Sequence, residues 1–466
     1  MKNTFSNAPE FVNQLKEIER LIESSDLENA VVALNGLVKS APRDPRLFLL
    51  GSRLAQASGN AEGVLKAAAK AMRYAPKWPV ATLHLAQVLA QRGDREFGMA
   101  FAAMSVIQAA QQKTLNLELL EKAAEIAFAL NFPEQALVWL RQALELSPAH
   151  VGTRYKLGLA LAKSGDLAGA IESYSSILLA DSANAPVLNA RLHAYLGAGK
   201  KDEALKDADA LVALEPSNEV FVFYQSVCRG EVPRTQPAAL IAGLFDEGAA
   251  RFDQVTVVGL KYKLPRDVAL RILEWHADRK ADVLDLGCGT GLLGLALGAM
   301  EGVVVGVDLS AGMIEQAKRH GVYDKFHQVN VLDALHATPE GLYDVITALD
   351  VLPYVGALET AIPDAYRILQ VGGRFVFSCE VQTTAAVTPE STSEQGYVLL
   401  PSYRFAHQRG YVQALVSKAG FQNVVMEDVV LRQEAAGPVD GFLVIAQKPE
   451  KSARRSTKSA KPARRT

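Results

Sequence analysis

The 466-residue sequence predicts an α + α/β protein, an all-α repeat array followed by a layered α/β domain. Three observations predict this. The first half repeats itself at a step of 34 residues. A stretch with two prolines and a glycine, "RGEVPRTQP" (229–237), then breaks the helical periodicity. Beyond it, short apolar runs alternate with helical segments, the pattern of a largely parallel sheet with helices on both faces.

The repeat is written in small residues. Gly59 and Gly93 lie 34 positions apart, as do Gly165 and Gly199, and Ala136, Ala170 and Ala204 keep the same step. Pro42, Pro76, Pro148 and Pro216 close units, while Ser182 stands where the fifth would close. Six units follow: 11–44, 45–78, 79–116, 117–150, 151–184 and 185–218, the third four residues too long. Each is expected to be a helical hairpin that cannot cover its apolar face alone, so the units stack into a solenoid. "EVFVFYQSVC" (219–228) reads as a last capping helix. The expected limits are therefore 1–228 for the solenoid, 229–237 for a linker, 238–449 for the α/β domain and 450–466 for a tail. The tail end, "PEKSARRSTKSAKPARRT", has seven Lys/Arg against one Glu and is expected to be disordered, either simply solvated or touching anionic surfaces.

In the second half the apolar runs are "ADVLDLG", "GVVVGVDLS", "FHQVNVLD", "YDVITAL", "GRFVFSCE", "NVVMEDVVL" and "GFLVIAQK". No helix separates the last two, only "RQEAAGPVD", so a C-terminal antiparallel hairpin is expected in a seven-stranded sheet.

Composition narrows the classes. The formal charge of −2 gives no long-range bias toward nucleic acid. Cys228, Cys288 and Cys379 form no C-x-x-C, so neither a disulfide framework nor a cysteine metal site is expected, which suits a reducing compartment. No secretory leader and no membrane-length apolar run is read, and a cytoplasmic location is expected.

The chemistry sits in "VLDLGCGTGLLGLALGAM" (283–300). Gly289, Gly291 and Gly294 spell G-x-G-x-x-G, a dinucleotide fingerprint. Asp285, Gly287, Gly289 and Gly291 spell D-x-G-x-G-x-G. Glycines there let the backbone approach a ligand, and a helix starting near Leu292 would aim its amides at a carboxylate. Asp308 ends the second run, where a carboxylate accepts from ribose hydroxyls of either kind of cofactor. Each acid, Asp285, Asp308 and the later Asp333, has a bland alternative as a cap or strand end.

The second half resembles the class I S-adenosylmethionine (SAM) methyltransferases, and the first half resembles the tetratricopeptide repeat (TPR). The methyltransferase resemblance rests on the D-x-G-x-G-x-G loop, "VDLS", the acid of "VNVLDAL", "YDVITALDVLPYV" and the hairpin ending. The repeat resemblance is clearest in "VGTRYKLGLALAKSGDLAGAIESYSSILLADSAN", through Leu157, Gly158, Gly165, Ala170 and Tyr174. "LFDEGAARFDQVTVVGLKYKLP" and "YRFAHQRGYVQALVSKAGF" are similar to segments of bacterial methyltransferases with N-terminal TPR units. The resemblance implies a Rossmann-like domain with SAM as cofactor. It implies cofactor contacts at Asp285, Gly287, Gly289, Gly291, Asp308, Leu309, Met313, Asp333, Ala334 and Leu349. Asp333 would read adenine with the Ala334 amide, and the Phe245–Phe252 segment would lid the cofactor with Tyr262 in contact. Asp350, Tyr354 and His407 are candidate catalytic groups, and Tyr403 and Arg404 candidate acceptor contacts beside a polar loop, "VQTTAAVTPESTSEQG" (381–396). For His407, a surface or packing role is the alternative; for Asp350, a helix cap; for Arg404, a surface pair. The acceptor is expected to be a small molecule or a glycan/lipid precursor, with no DNA-specific signal. The alternatives are a protein methyltransferase whose solenoid recruits its target, and a SAM-binding scaffold without turnover. The solenoid would bind a protein partner or mediate self-association.

Overall fold

The computed structural model describes residues 5–6, 8–381, 395–434 and 437–450. The basic tail and nearly all of the polar loop at 381–396 lie outside the described residues. By its internal contacts the chain divides into Met1–Leu214 and Glu215–Thr466.

The first unit has six consecutive helix pairs among the described residues. They are α1 (Pro9–Glu23) with α2 (Leu27–Ser40), α3 (Pro45–Ala57) with α4 (Ala61–Tyr74), and α5 (Pro79–Gln91) with α6 (Arg95–Gln111). Then come α7 (Leu117–Ala129) with α8 (Pro133–Leu146), α9 (Val151–Lys163) with α10 (Leu167–Leu178), and α11 (Ala185–Gly197) with α12 (Lys201–Leu214). From the second on, each pair begins where the sequence places its unit. Of the four extra residues of the third unit, three lie in α6, which has 17 residues where α4 has 14, and one in the connection that follows it.

Local chemistry sets each turn. Asp26, Asn60, Asp94 and Asp166 cap the second helix of their pairs, each side chain accepting from the amide three residues on. Before the last of these, Gly165 takes φ +87°, where a side chain would be strained. Ala68, Ala102, Ala136, Ala170 and Ala204 are wholly buried in the second helices, where the neighbouring helices come closest. Gly158 works the same way: a Cβ there would lie 2.4 Å from the ring of Tyr174.

The second unit begins earlier than the linker read from the sequence. It includes α13 (Glu219–Cys228), whose Phe223 and Tyr224 rings lie 6.3 and 5.5 Å from that of Tyr403. After α14 (Ala238–Gly248), a short 3₁₀ turn (Ala249–Arg251), a π-helical turn (Gln254–Gly259) and α15 (Leu264–Trp275), the sheet begins. Its strands are β1 (Val283–Leu286), β2 (Val304–Asp308), β3 (Lys325–Gln328), β4 (Tyr343–Ala348), β5 (Leu369–Val381), β6 (Tyr397–Leu399), β7 (Phe405–His407), β8 (Gln422–Glu434) and β9 (Gly437–Gln447). Between them lie α16 (Leu292–Leu297), α17 (Ala311–Lys318), α18 (Val331–Ala337), α19 (Ala361–Ile368) and α20 (Arg409–Ala419).

β3, β2, β1, β4 and β5 lie side by side and parallel. β9 runs antiparallel to β5 and pairs with β8, the expected terminal hairpin. The seven expected strands are present, and two more are not in the seven-stranded reading. β6 and β7 are three-residue strands that extend the tip of β5. They are too short to show an alternation in sequence.

Successive residues of each strand enter opposite cores. Leu284, Leu286, Ile346, Phe375 and Phe377 pack with Ile362 of α19 and Val412 of α20. Val283, Val304, Val345 and Val376 pack with Val268 and Ile272 of α15. Asp285 shares the second parity and therefore points, at the strand tip, to the α15–α16 side.

Because Tyr174 occupies the space over Gly158, Gly158→Val is expected to destabilise the repeat unit by about 1–3 kcal/mol. The check is urea unfolding of the full chain followed by helical circular dichroism. A midpoint equal to that of the parent chain would count against this packing.

Candidate functional site

A cavity opens beyond the C-terminal tips of β1, β2 and β4, where ligands of open α/β sheets collect. Asp285, Gly287, Gly289, Asp308, Leu309, Met313 and Leu349 line it, as do Asp350, Tyr354 and Arg404.

Asp285 is 3 % exposed. Its two oxygens accept from the Tyr323 hydroxyl and from Thr347 Oγ1, both at 2.7 Å. Thr347 is its register partner on β4. Burial pushes the carboxyl up to about 6, against the two donors, which favour the charged form. Asp308, 9 % exposed, accepts from the amides of Gly289 at 2.8 Å and Ser310 at 2.9 Å. Burial raises its carboxyl too, against those same amides.

The glycines do not share one task. Gly289, at φ +55°, has nothing within 4 Å of where a Cβ would stand, so its backbone borders open cavity. A Cβ on Gly287 would lie 2.3 Å from Val351, and one on Gly294 2.3 Å from the Tyr323 ring. Gly291 also faces Tyr323, at 3.1 Å, and does not line the cavity. The glycine run thus makes room for Tyr323, whose hydroxyl donates to Asp285 and accepts from the Gly294 amide.

The third acid departs from the sequence reading. β3 stops at Gln328, and the chain turns into α18 with Asn330 as its cap, accepting from the Leu332 amide at 2.8 Å. Asn330 and Val331 line the cavity. Asp333 lies further along α18 and is exposed; neither it nor Ala334 reaches the cavity. A capping Asn before a helix is a readable signal.

The segment before the sheet covers the cavity. Phe245 and Phe252 line it with their rings 6.2 Å apart, and Tyr262 lines it as well. Asp246 accepts from Ser310 Oγ at 2.5 Å and from the Gly312 amide at 3.0 Å. Asp253 accepts from Thr290 Oγ1 at 2.5 Å. Asp246 and Asp253, each following one of these phenylalanines, therefore fasten this cover to the glycine loop and to the start of α17.

The far end of the cavity is a charge cluster that sequence reading missed. Arg432 is 6 % exposed and lies on β8, in residues read as the hairpin turn. Its Nη1 donates to both oxygens of Asp350 at 2.9 and 2.8 Å, Nη2 to Glu380 at 3.1 Å, and Nε to Glu434 at 2.8 Å. Arg404 donates to Glu380 and Glu434, both at 3.0 Å. Asp350 sits at φ +56°, its amide donating to Ser378 Oγ at 2.8 Å; it is an ion-pair partner, not a helix cap.

Two other candidates lie away from the cavity. His407 is 0 % exposed on β7, and its Nε2 stands 3.0 Å from the carbonyl oxygens of Val355 and Gly356. Burial pushes it down to about 4, against those carbonyls, so it stays neutral and faces backbone. Tyr403 packs on Phe223 and Tyr224, and its carbonyl accepts from Gln236. Neither lines the cavity.

Residues 284–377 match a family described as a methyltransferase domain. Among curated proteins, the chain is similar to a demethylmenaquinone methyltransferase of Symbiobacterium thermophilum. The two are 31% identical over 143 residues, covering 28% of this chain and 56% of that one. A ubiquinone biosynthesis O-methyltransferase of Pseudomonas savastanoi pv. phaseolicola is 34% identical over 100 residues, covering 21% of this chain and 43% of that one. The chain thus spans about half the length of the curated relatives it matches. Among solved structures it is similar to magnesium protoporphyrin IX methyltransferase of Synechocystis PCC 6803. That likeness has a TM-score of 0.34 and 16% identity, covering 45% of this chain and 99% of that one. The second half carries a methyltransferase domain. Among the described residues, no helix is long and apolar enough to cross a membrane.

The Tyr323 donor favours the charged form of Asp285, so removing it should raise the Asp285 titration point above about 6. Carboxyl ¹³C shifts of the Tyr323→Phe chain against pH give the test. A titration point unmoved or lowered would show that the hydroxyl does not hold this carboxylate.

Proposed function

We propose that this chain, whose residues 284–377 carry the methyltransferase-domain match, transfers a methyl group from SAM to a small-molecule acceptor. The observation that carries the reading is the pair of buried carboxylates, Asp285 and Asp308, at adjacent strand tips around the open backbone of Gly289. SAM, when bound, supplies an electrophilic methyl on a sulfonium, so the protein's work is binding, orientation and exclusion of water.

These residues fit such a group. Asp308 would take the ribose hydroxyls, as its strand-tip position and two amide partners suit an acceptor of further hydrogen bonds. Asp285, held by neutral donors alone, would take the amino-acid end, where a cationic ammonium offsets the cost of its burial. Met313, Leu309 and Asn330, with Val331, would border the base. The cover fastened by Asp246 and Asp253 would exclude water. The acceptor would enter at the Tyr354–Asp350 end, and Asp350, held on both oxygens by Arg432, would orient it rather than act as a strong base.

For the first unit we propose protein binding or self-association. The unit is built of six consecutive helix pairs among the described residues, and in such solenoids the concave face is the part usually free for partners.

Two outcomes are expected. SAM affinity should weaken about tenfold for each pH unit below about 6, because protonating Asp285 removes the charge that faces the ligand ammonium. Asp285→Asn should lose roughly 10- to 100-fold in affinity, the ratio equivalent to a charge-assisted hydrogen bond, and should flatten that pH dependence. Calorimetry with SAM from pH 5 to 8 on both chains decides. Full affinity in the variant would remove Asp285 from the site. Labelled methyl transferred from SAM into cell extract should appear in the small-molecule pool; label in the protein pool would instead support target recruitment by the repeats.

A further inference from the structure

We infer that the acceptor end of the cavity is built for an amine, bound by one uncompensated carboxylate and by two free phenol hydroxyls. This rests on the cofactor reading above.

Charge comes first. Arg404 and Arg432 face Asp350, Glu380 and Glu434, two cations against three anions within one hydrogen-bonded cluster. Among the described residues the cluster keeps one surplus negative charge beside the cavity, on a Glu434 that is partly exposed and so partly screened by solvent. Arg432 has committed four N–H groups to these carboxylates. An anionic acceptor on Arg432 would have to displace one of them, and among the described residues only Arg404 Nη1 is left without a partner to receive it. A cationic acceptor needs to displace nothing. Glu434 uses Oε1 for both arginines, and its other oxygen has no partner among the described residues.

The hydroxyls are the second, independent observation. Tyr262 is 9 % exposed and lines the cavity, yet its hydroxyl has no hydrogen-bond partner among the described residues. Tyr354 also lines the cavity, likewise without a partner for its hydroxyl. Both hydroxyls therefore remain available to a ligand atom in the cavity. Tyr262 stands between the two ends, feeling both Asp285 and Asp350.

Base strength agrees with this. Burial raises the Glu434 carboxyl, but hydrogen bonds and charge from Arg432 and Arg404 win and hold it low. Burial, with Asp350 adding to it, pushes Tyr354 up to about 12. His407 faces backbone elsewhere. A hydroxyl acceptor would find, among the described residues at the acceptor end, only carboxylates already held by arginines to take its proton. An amine needs none in the step. The ammonium gives one proton to water, and its lone pair forms the nitrogen–carbon bond. The carbon–sulfur bond breaks with its electron pair left on sulfur.

Benzylamine and benzoate, nearly equal in shape and opposite in charge, make the test. Each is titrated at neutral pH into the full chain saturated with S-adenosylhomocysteine, by calorimetry. Benzylamine should bind about tenfold tighter or better, the order expected for one nearby unit charge. In the Glu434→Gln chain, which removes the surplus charge, the ratio should fall toward one. Equal binding or a preference for benzoate in the parent chain overturns the amine inference alone. A chain that does not take up S-adenosylhomocysteine overturns the cofactor reading on which it rests.

Discussion

A carboxylate buried at the end of a central parallel strand is costly unless something answers its charge. Among the described residues Asp285 has only neutral partners, Tyr323 and Thr347, and burial outweighs them. Such an acid is a poor choice for stability and a good one for holding a cation. Much of the second unit is arranged around keeping it there. The glycines of the loop clear space for Tyr323, β4 supplies Thr347 in register, and β2 brings Asp308 beside the same loop.

The repeat architecture was legible because it depends on local rules. Glycine turns, closing prolines and an alanine in each second helix leave marks at a fixed period, and from the second on the helix pairs begin where those marks say. The existence of the central strands was legible for the same kind of reason, since apolar runs with turn signals mark them, whereas their order comes from the pairing. Strand ends were not. Asp333 looked like a third strand-tip acid because the apolar run continues to Leu332, but β3 stops at Gln328 and Asn330 takes the rim. Periodicity says which residues are apolar, not where the chain turns.

Arg432 shows the other limit. It lies far in sequence from Asp350 and Glu380, and only the antiparallel placement of β9 between β5 and β8 brings them together. Its local stretch, "RQEAAGPVD", reads as a turn. His407 errs in the opposite direction: a residue type suited to proton transfer proves to be a buried partner of two carbonyls. Both follow from tertiary pairing, which no single stretch of sequence records.

The two ends of the cavity are therefore different in kind. At one, uncompensated acids meet backbone amides around an open glycine; at the other, two arginines are outnumbered by three carboxylates. Tyr262 joins them. The most direct test of this arrangement is a crystal structure of the chain grown with S-adenosylhomocysteine. The account predicts the nucleoside in this cavity, its sugar hydroxyls on Asp308 and its amino group toward Asp285. Density for the ligand elsewhere, or a bound ligand that leaves both acids untouched, would contradict it.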